Sequence, residues 1–258
     1  MSDPVRARPH IKQLYEKTQA GNPYELPIKQ HIFPKRSIER FCSAAGLVQV
    51  QHVIQNRLRR AKPVDTTFCA MRVWDAKAER VHKETEDSFQ SFASDVIGFR
   101  VTSVSQANKY IVDRFFALWK TRAFLRHSER KNLKLNMLPG EMLTKDQEEI
   151  LEKNGYVFVN KDSEIPHHVA NGMQMFLRIG KEMRDLEAVR WGILHALDGN
   201  FIVPDNPIFT FIPLTPRIAI CADCEGSMIS RSVVAEINQY LRKDCVSYFF
   251  GLDLSQCP

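Results

Sequence analysis

The spacing of apolar residues changes character once along the chain, and that change limits the folds open to it. Trp74, Ala78, Val81, Thr85, Phe92 and Val96 follow three- and four-residue steps, with Phe89 beside them, the period of a long amphipathic helix. A second helix is expected over 105–127, with Ile111, Phe115, Leu118 and Leu125 on its stripe and Arg122 among them. Thr144 and Gln147 have capping-box spacing and open a third helix that closes near Gly155. Val169, Met173, Phe176, Ile179, Met183 and Leu186 give a fourth after Pro166. Beyond residue 188 the period shortens to two. Val189, Trp191 and Ile193 alternate, Asp198-Gly199 is a hairpin signal leading into Phe201–Val203, and 208–212 and 217–221 read as further strands. A final helix capped by Ser230 would bury Val234, Ile237 and Leu241.

The expected fold is therefore α+β, mainly an antiparallel sheet packed by several amphipathic helices. With no linker or repeat, residues 1–258 are expected to form a single domain. Its helical middle covers about 70–187, its β-rich part about 188–225 and its last helix about 230–248, with 1–9 expected to lack order. Ahead of the middle, Ser37 reads as the N-cap and Gly46 as the C′ residue of a short helix. A strand spans 48–54, a basic turn 56–63, and an extended run 68–71.

Apolar residues make up 44% of the chain, enough for a core, and no apolar run reaches the roughly 18–20 residues of a membrane span. The amino terminus lacks the apolar stretch of a secretory signal, so a cytoplasmic location without membrane contact is expected. In that compartment Cys42, Cys69, Cys245 and Cys257 would be free thiols. Of the net charge of +6, residues 1–62 hold twelve Lys/Arg against four Asp/Glu, while the remainder is slightly acidic. Clustered cations favour a polyanion, which makes nucleic acid the expected partner class and Lys35, Arg36, Arg57, Arg59, Arg60 and Lys62 its candidate contacts.

Nucleotide loops and the Gly-x-Ser-x-Gly elbow are absent. Cys221 and Cys224 have half of a zinc site's spacing, but no second pair accompanies them, so zinc is not expected there and no metal ligand set is assigned. The Cys-x-x-Cys follows no βαβ pattern, which also weighs against a thioredoxin-like role. Arg122 and His127 fit an Arg-x4-His spacing used by some all-helical ribonucleases, but an Arg on an apolar stripe is more often a buried ion-pair partner. His167-His168 is expected to be exposed in a first helical turn. In Phe201-Ile-Val-Pro-Asp-Asn-Pro207 two prolines stiffen the display of Asp205 and Asn206, suited either to an Asx-turn or to acid/base work.

His31-x-x-Pro34 with Ile38 and Phe41, Phe201 to Pro207, and Pro213-Leu-Thr-Pro216 together resemble the bacterial domain-of-unknown-function family 4238. Glu86 falls where that family has Ile-Glu in a helix, and Asn238 matches a late Asn. Lys35 and Val203-Pro204 depart from its pattern. The resemblance implies a bacterial protein and supplies no mechanism. The resulting expectation is a nucleic-acid-directed enzyme, nuclease-like or of toxin or defence type, in which His31, Glu86, Asp205 and Asn206 converge, with a divalent metal as an optional cofactor. The alternative is a non-catalytic nucleic-acid or protein binding or regulatory module in which those residues fix the fold, and either form is compatible with a homo-oligomer.

Overall fold

A computed structural model describes residues 15–136 and 138–258, so the expectation for 1–9 lies outside the described residues. In chain order the elements are β1 (Lys29–His31), α1 (Lys35–Glu39), β2 (Val48–His52), β3 (Arg57–Ala61), β4 (Cys69–Met71), α2 (Ala76–Ile97) and α3 (Gln106–His127). Next come β5 (Leu133–Lys134), α4 (Lys145–Lys153), β6 (Glu164–Ile165), α5 (His167–Asp185), β7 (Trp191–Ala196) and β8 (Val203–Pro204). The chain ends with β9 (Phe211–Pro213), β10 (Ile218–Ala222), β11 (Ser227–Ile229), α6 (Arg231–Asp244) and β12 (Tyr248–Gly251). The fold is α+β. One four-stranded sheet runs β3-β2-β12-β8, all antiparallel; the other runs β11-β7-β10-β9, with only β11–β7 parallel.

The helices form where capping and periodicity agree. Asp75 accepts the Ala78 N–H at the start of α2, Ser105 accepts that of Asn108 at α3, and Thr144 with Gln147 completes a capping box at α4. Phe89 and Phe115 stack at 3.5 Å between α2 and α3, and Phe33 meets Trp119 at 4.6 Å where α3 lies against the first sheet. Each such buried ring contributes about 2–3 kcal/mol. A second core joins Phe201, Phe211 and Leu194 to Val234, Ile237 and Leu241 of α6. No helix among the described residues is long and apolar enough to cross a membrane.

Four local expectations are corrected. Ser37 lies inside α1, whose N-cap is Pro34, and its hydroxyl accepts from Gln90. The basic segment 56–63 is mostly the strand β3; on an exposed sheet edge charged side chains reach water without breaking the ladder. Asp198-Gly199 turns the chain but makes no hairpin. The following segment leaves β7 for the other sheet because the buried Asn238 accepts the Ile202 N–H and donates to the Asn200 carbonyl. Of the stripe expected on α5, Val169, Ile179 and Leu186 are buried, but His168, Gly172, Met175 and Glu182 are buried beside it and Phe176 is 40% exposed.

Candidate metal centre

The start of α5 is set by Pro166, whose ring fixes φ and which offers no side-chain cap. The helix's first N–H, that of His167, is instead satisfied by Asn132 Oδ1 at 3.0 Å. Asn132 is carried there by the short β5–β6 pairing of Leu133 with Ile165. His167 and His168 are therefore not exposed as expected: they are 7% and 1% accessible, because α4 and the leading segment cover this turn.

His168 is gripped on both sides. Its Nε2 lies 3.1 Å from Glu152 Oε2, and its Nδ1 lies 3.2 Å from Glu16 Oε2. Arg72 closes the network from behind with two bonds to Glu152, at 3.0 and 2.6 Å. Both partners of that ion pair are 1% accessible. Arg72 adopts a left-handed backbone (φ +48°), which costs about 1–3 kcal/mol and turns its side chain inward at the end of β4. Its N–H is held by the Ile28 carbonyl at 2.8 Å. Gln19 bonds Glu149 through its backbone and side chain, and Tyr24 bonds Asp146 at 2.6 Å. These contacts lay the leading segment along α4 and bring Glu16 to the histidines, where Lys145 also meets it.

Charge and burial divide the group. For His168, burial favours the neutral ring but hydrogen bonds to Glu152 and Glu16 outweigh it and raise its pKa. His167 is pushed down to about 4 by burial, helped by the charges of His168 and Arg130, so it is a neutral imidazole near pH 7. Burial alone would raise Glu16, yet His168 and Lys145 hold its carboxyl well below the usual range. Glu148 is raised, first by burial and then by Glu16.

A pocket of about 380 Å³ opens in front, walled by Glu16, His167, Glu148, Arg130, Asn132 and Asn160. His167 Nε2 is buried and makes no hydrogen bond among the described residues. Ligand atoms of Glu16, His167 and His168 all lie within 4.8 Å of one another. Two imidazoles and a carboxylate suit a divalent transition ion with a position left for water or substrate, provided the ion displaces the proton between His168 Nδ1 and Glu16. Glu152, on the far ring nitrogen of His168, occupies the place of the carboxylate that commonly orients a metal-binding histidine.

The residues expected from the sequence to form the site do other work. Asp205 is 1% accessible; its carboxylate accepts the Val246 and Ser247 N–H groups at 2.9 and 2.8 Å, clamping the β8 turn to the start of β12. Asn206 donates to the Asp244 carbonyl at the end of α6. Glu86 pairs with Arg122 at 2.6 Å, and His31 contacts the Pro63 carbonyl at 3.0 Å. None of the four lines this pocket. Arg122 is fully enclosed by Glu86, Glu79 and the Trp74 ring, and His127 Nε2 sits 3.7 Å from Asp205. Of the basic candidates, Arg36, Arg57, Arg60 and Lys62 are exposed, Lys35 pairs with Glu39, and Arg59 is held by Asp65 and His52.

Glu16, Arg72 and Glu152 were not marked by any motif. The one available signal was the tandem His167-His168 after Pro166, together with the three-residue spacing of Glu149 and Glu152 on α4. Comparison of the chain with protein-family models, with curated proteins and with solved structures finds no match.

Proposed function

We propose that the protein is a divalent-metal-dependent hydrolase of phosphoesters, with nucleic acid as its substrate class and Glu16, His167 and His168 as its metal ligands. The observation that carries this reading is the convergence of three ligand atoms, one of them His167 Nε2, unpartnered among the described residues, on the wall of a polar pocket. A bound ion would polarise a water or a substrate oxygen. Arg130 at the pocket wall supplies positive charge for an anionic group, and Asn132 and Asn160 supply polar contacts to orient it. Glu148, its pKa raised by burial, stands at the same wall, placed to take and return a proton. Choice of nucleic acid rests on the excess of Lys and Arg in residues 1–62 and on the exposure of Arg36, Arg57, Arg60 and Lys62.

The test is cleavage of labelled RNA, DNA and a chromogenic phosphodiester with Mn²⁺, Zn²⁺ or Mg²⁺, alongside calorimetric titration of the metal. Cleavage should vanish in His167→Ala and Glu16→Gln, with metal affinity reduced about 100-fold or more, and persist in Asp205→Asn. Cleavage lost in Asp205→Asn but kept in His167→Ala would move the site to the β8 turn. Absence of both metal binding and cleavage would favour a non-catalytic binding module, a reading that the complete enclosure of Asp205 and of the Arg72–Glu152 pair supports.

A further inference from the structure

We propose that Cys221 and Cys224 form a reversible dithiol–disulfide couple, a modification site that reacts with low-molecular-weight disulfides. Cys221 ends the buried part of β10, and Cys224 follows it across a turn whose Asp223 has φ +52°. That turn is pinned to the neighbouring strand. The Asp223 N–H donates to the Arg190 carbonyl at 2.6 Å, and the Arg190 N–H donates back to Asp223 Oδ1 at 3.1 Å. Gly192 on β7 makes room for it: a Cβ there would lie 2.2 Å from the Cys224 carbonyl oxygen and 2.9 Å from its sulfur. Cys224 is thus drawn back over Cys221, its thiol donating to the Cys221 carbonyl at 3.3 Å while the Cys221 thiol donates to the Ala222 carbonyl at 3.5 Å.

The environment separates the two roles. Cys224 is half-buried and Cys221 is buried. The neighbouring Cys221 side chain brings the Cys224 thiol down to about 7, while the Cys224 side chain and burial raise Cys221. The other four thiols all move upward, first through burial, with Cys69 at about 11 and Cys257 at about 12. Among the described residues the one three-ligand metal cluster is at Glu16, His167 and His168, so nothing else there completes a zinc site around this pair.

The Cys224 thiolate attacks one sulfur of a disulfide such as oxidised glutathione; that S–S bond breaks, and one half departs as a thiolate that takes a proton from water. Cys221 then gives its proton to solvent and attacks Cys224 Sγ, forming the internal S–S bond and expelling the second half. Two protein thiols are oxidised and one disulfide is reduced to two thiols.

Purified protein would be incubated in glutathione buffers of stepped redox ratio, then alkylated and mapped by mass spectrometry. The expected result is a single internal Cys221–Cys224 disulfide, reversed by excess reduced glutathione, with Cys224 alkylation half-maximal near pH 7. Cys221→Ser should trap glutathione on Cys224, whereas Cys224→Ser should leave Cys221 unmodified. Glutathione remaining on Cys224 in the wild-type chain, or spread evenly over all six cysteines, would overturn the proposal. So would stoichiometric zinc that is lost in Cys224→Ser and retained in His167→Ala.

Discussion

His82 and His167 are both buried and both pushed down to about 4, first by burial; among the described residues His82 leaves both ring nitrogens without a hydrogen bond and His167 leaves Nε2. They differ in what stands before them. His82, on α2, is closed in by the Phe176 ring of α5 at 5.1 Å, and Arg122 and Arg114 add the positive charge that disfavours its protonation. His167, at the head of α5, borders a polar pocket beside a carboxylate and a second imidazole. A neutral buried imidazole is therefore no mark of function by itself. The open space and the second ligand make the difference.

The largest effect expected from breaking the metal-centre side of this comparison comes from Arg72→Met. It leaves the buried Glu152 without its guanidinium partner, and should cost about 3–5 kcal/mol in urea denaturation. A loss under about 1 kcal/mol would show that Glu152 and His168 close the network alone.

His82→Leu tests the enclosed side through pH. The folded pKa of His82 lies below its unfolded value near 6.5, so its contribution is complete above that value and is lost as pH falls toward about 4. The wild-type chain should lose about 2–3 kcal/mol relative to the variant across that window, read from denaturation curves at stepped pH. Parallel curves would mean that His82 is hydrated in the folded state.

Asp205→Asn should lower stability by about 2 kcal/mol, because an amide replaces the carboxylate that two backbone N–H groups share. Metal affinity should not change. The smallest effect sharpens the other side: Glu152→Gln keeps the shape but weakens the orienting bond to His168, for a drop of about tenfold in metal affinity by calorimetry.

Helices α2 and α3, read from their apolar period, and α4, read from its capping box, were legible to within a residue or two, since both signals are local. Strand partners were not. β12 lies in the middle of a sheet between β2 and β8, a pairing written nowhere near residues 248–251. The candidate site follows the same rule. Asp205 and Asn206 were visible as a stiff turn, but what they hold was settled by the distant start of β12 and the end of α6. His167-His168 was visible as a motif. Its burial depends on α4 and on residues near 16, which no spacing along the chain connects to it.

That dispersion sets when the centre can exist. Glu16, Arg72, Glu152 and His168 are separated by up to 152 positions, and Arg72 meets Glu152 across 80. A chain growing from its amino end carries Arg72 long before its counter-charge has been made. The Glu16–His168 contact cannot close until α5 has begun to form. The candidate metal centre can therefore close only once these remote segments have been gathered, at a cost in chain entropy. Its closure ties the leading segment to α4 and α5, so an ion that binds only the closed form would raise resistance to proteolysis around residues 15–24 in proportion to its concentration.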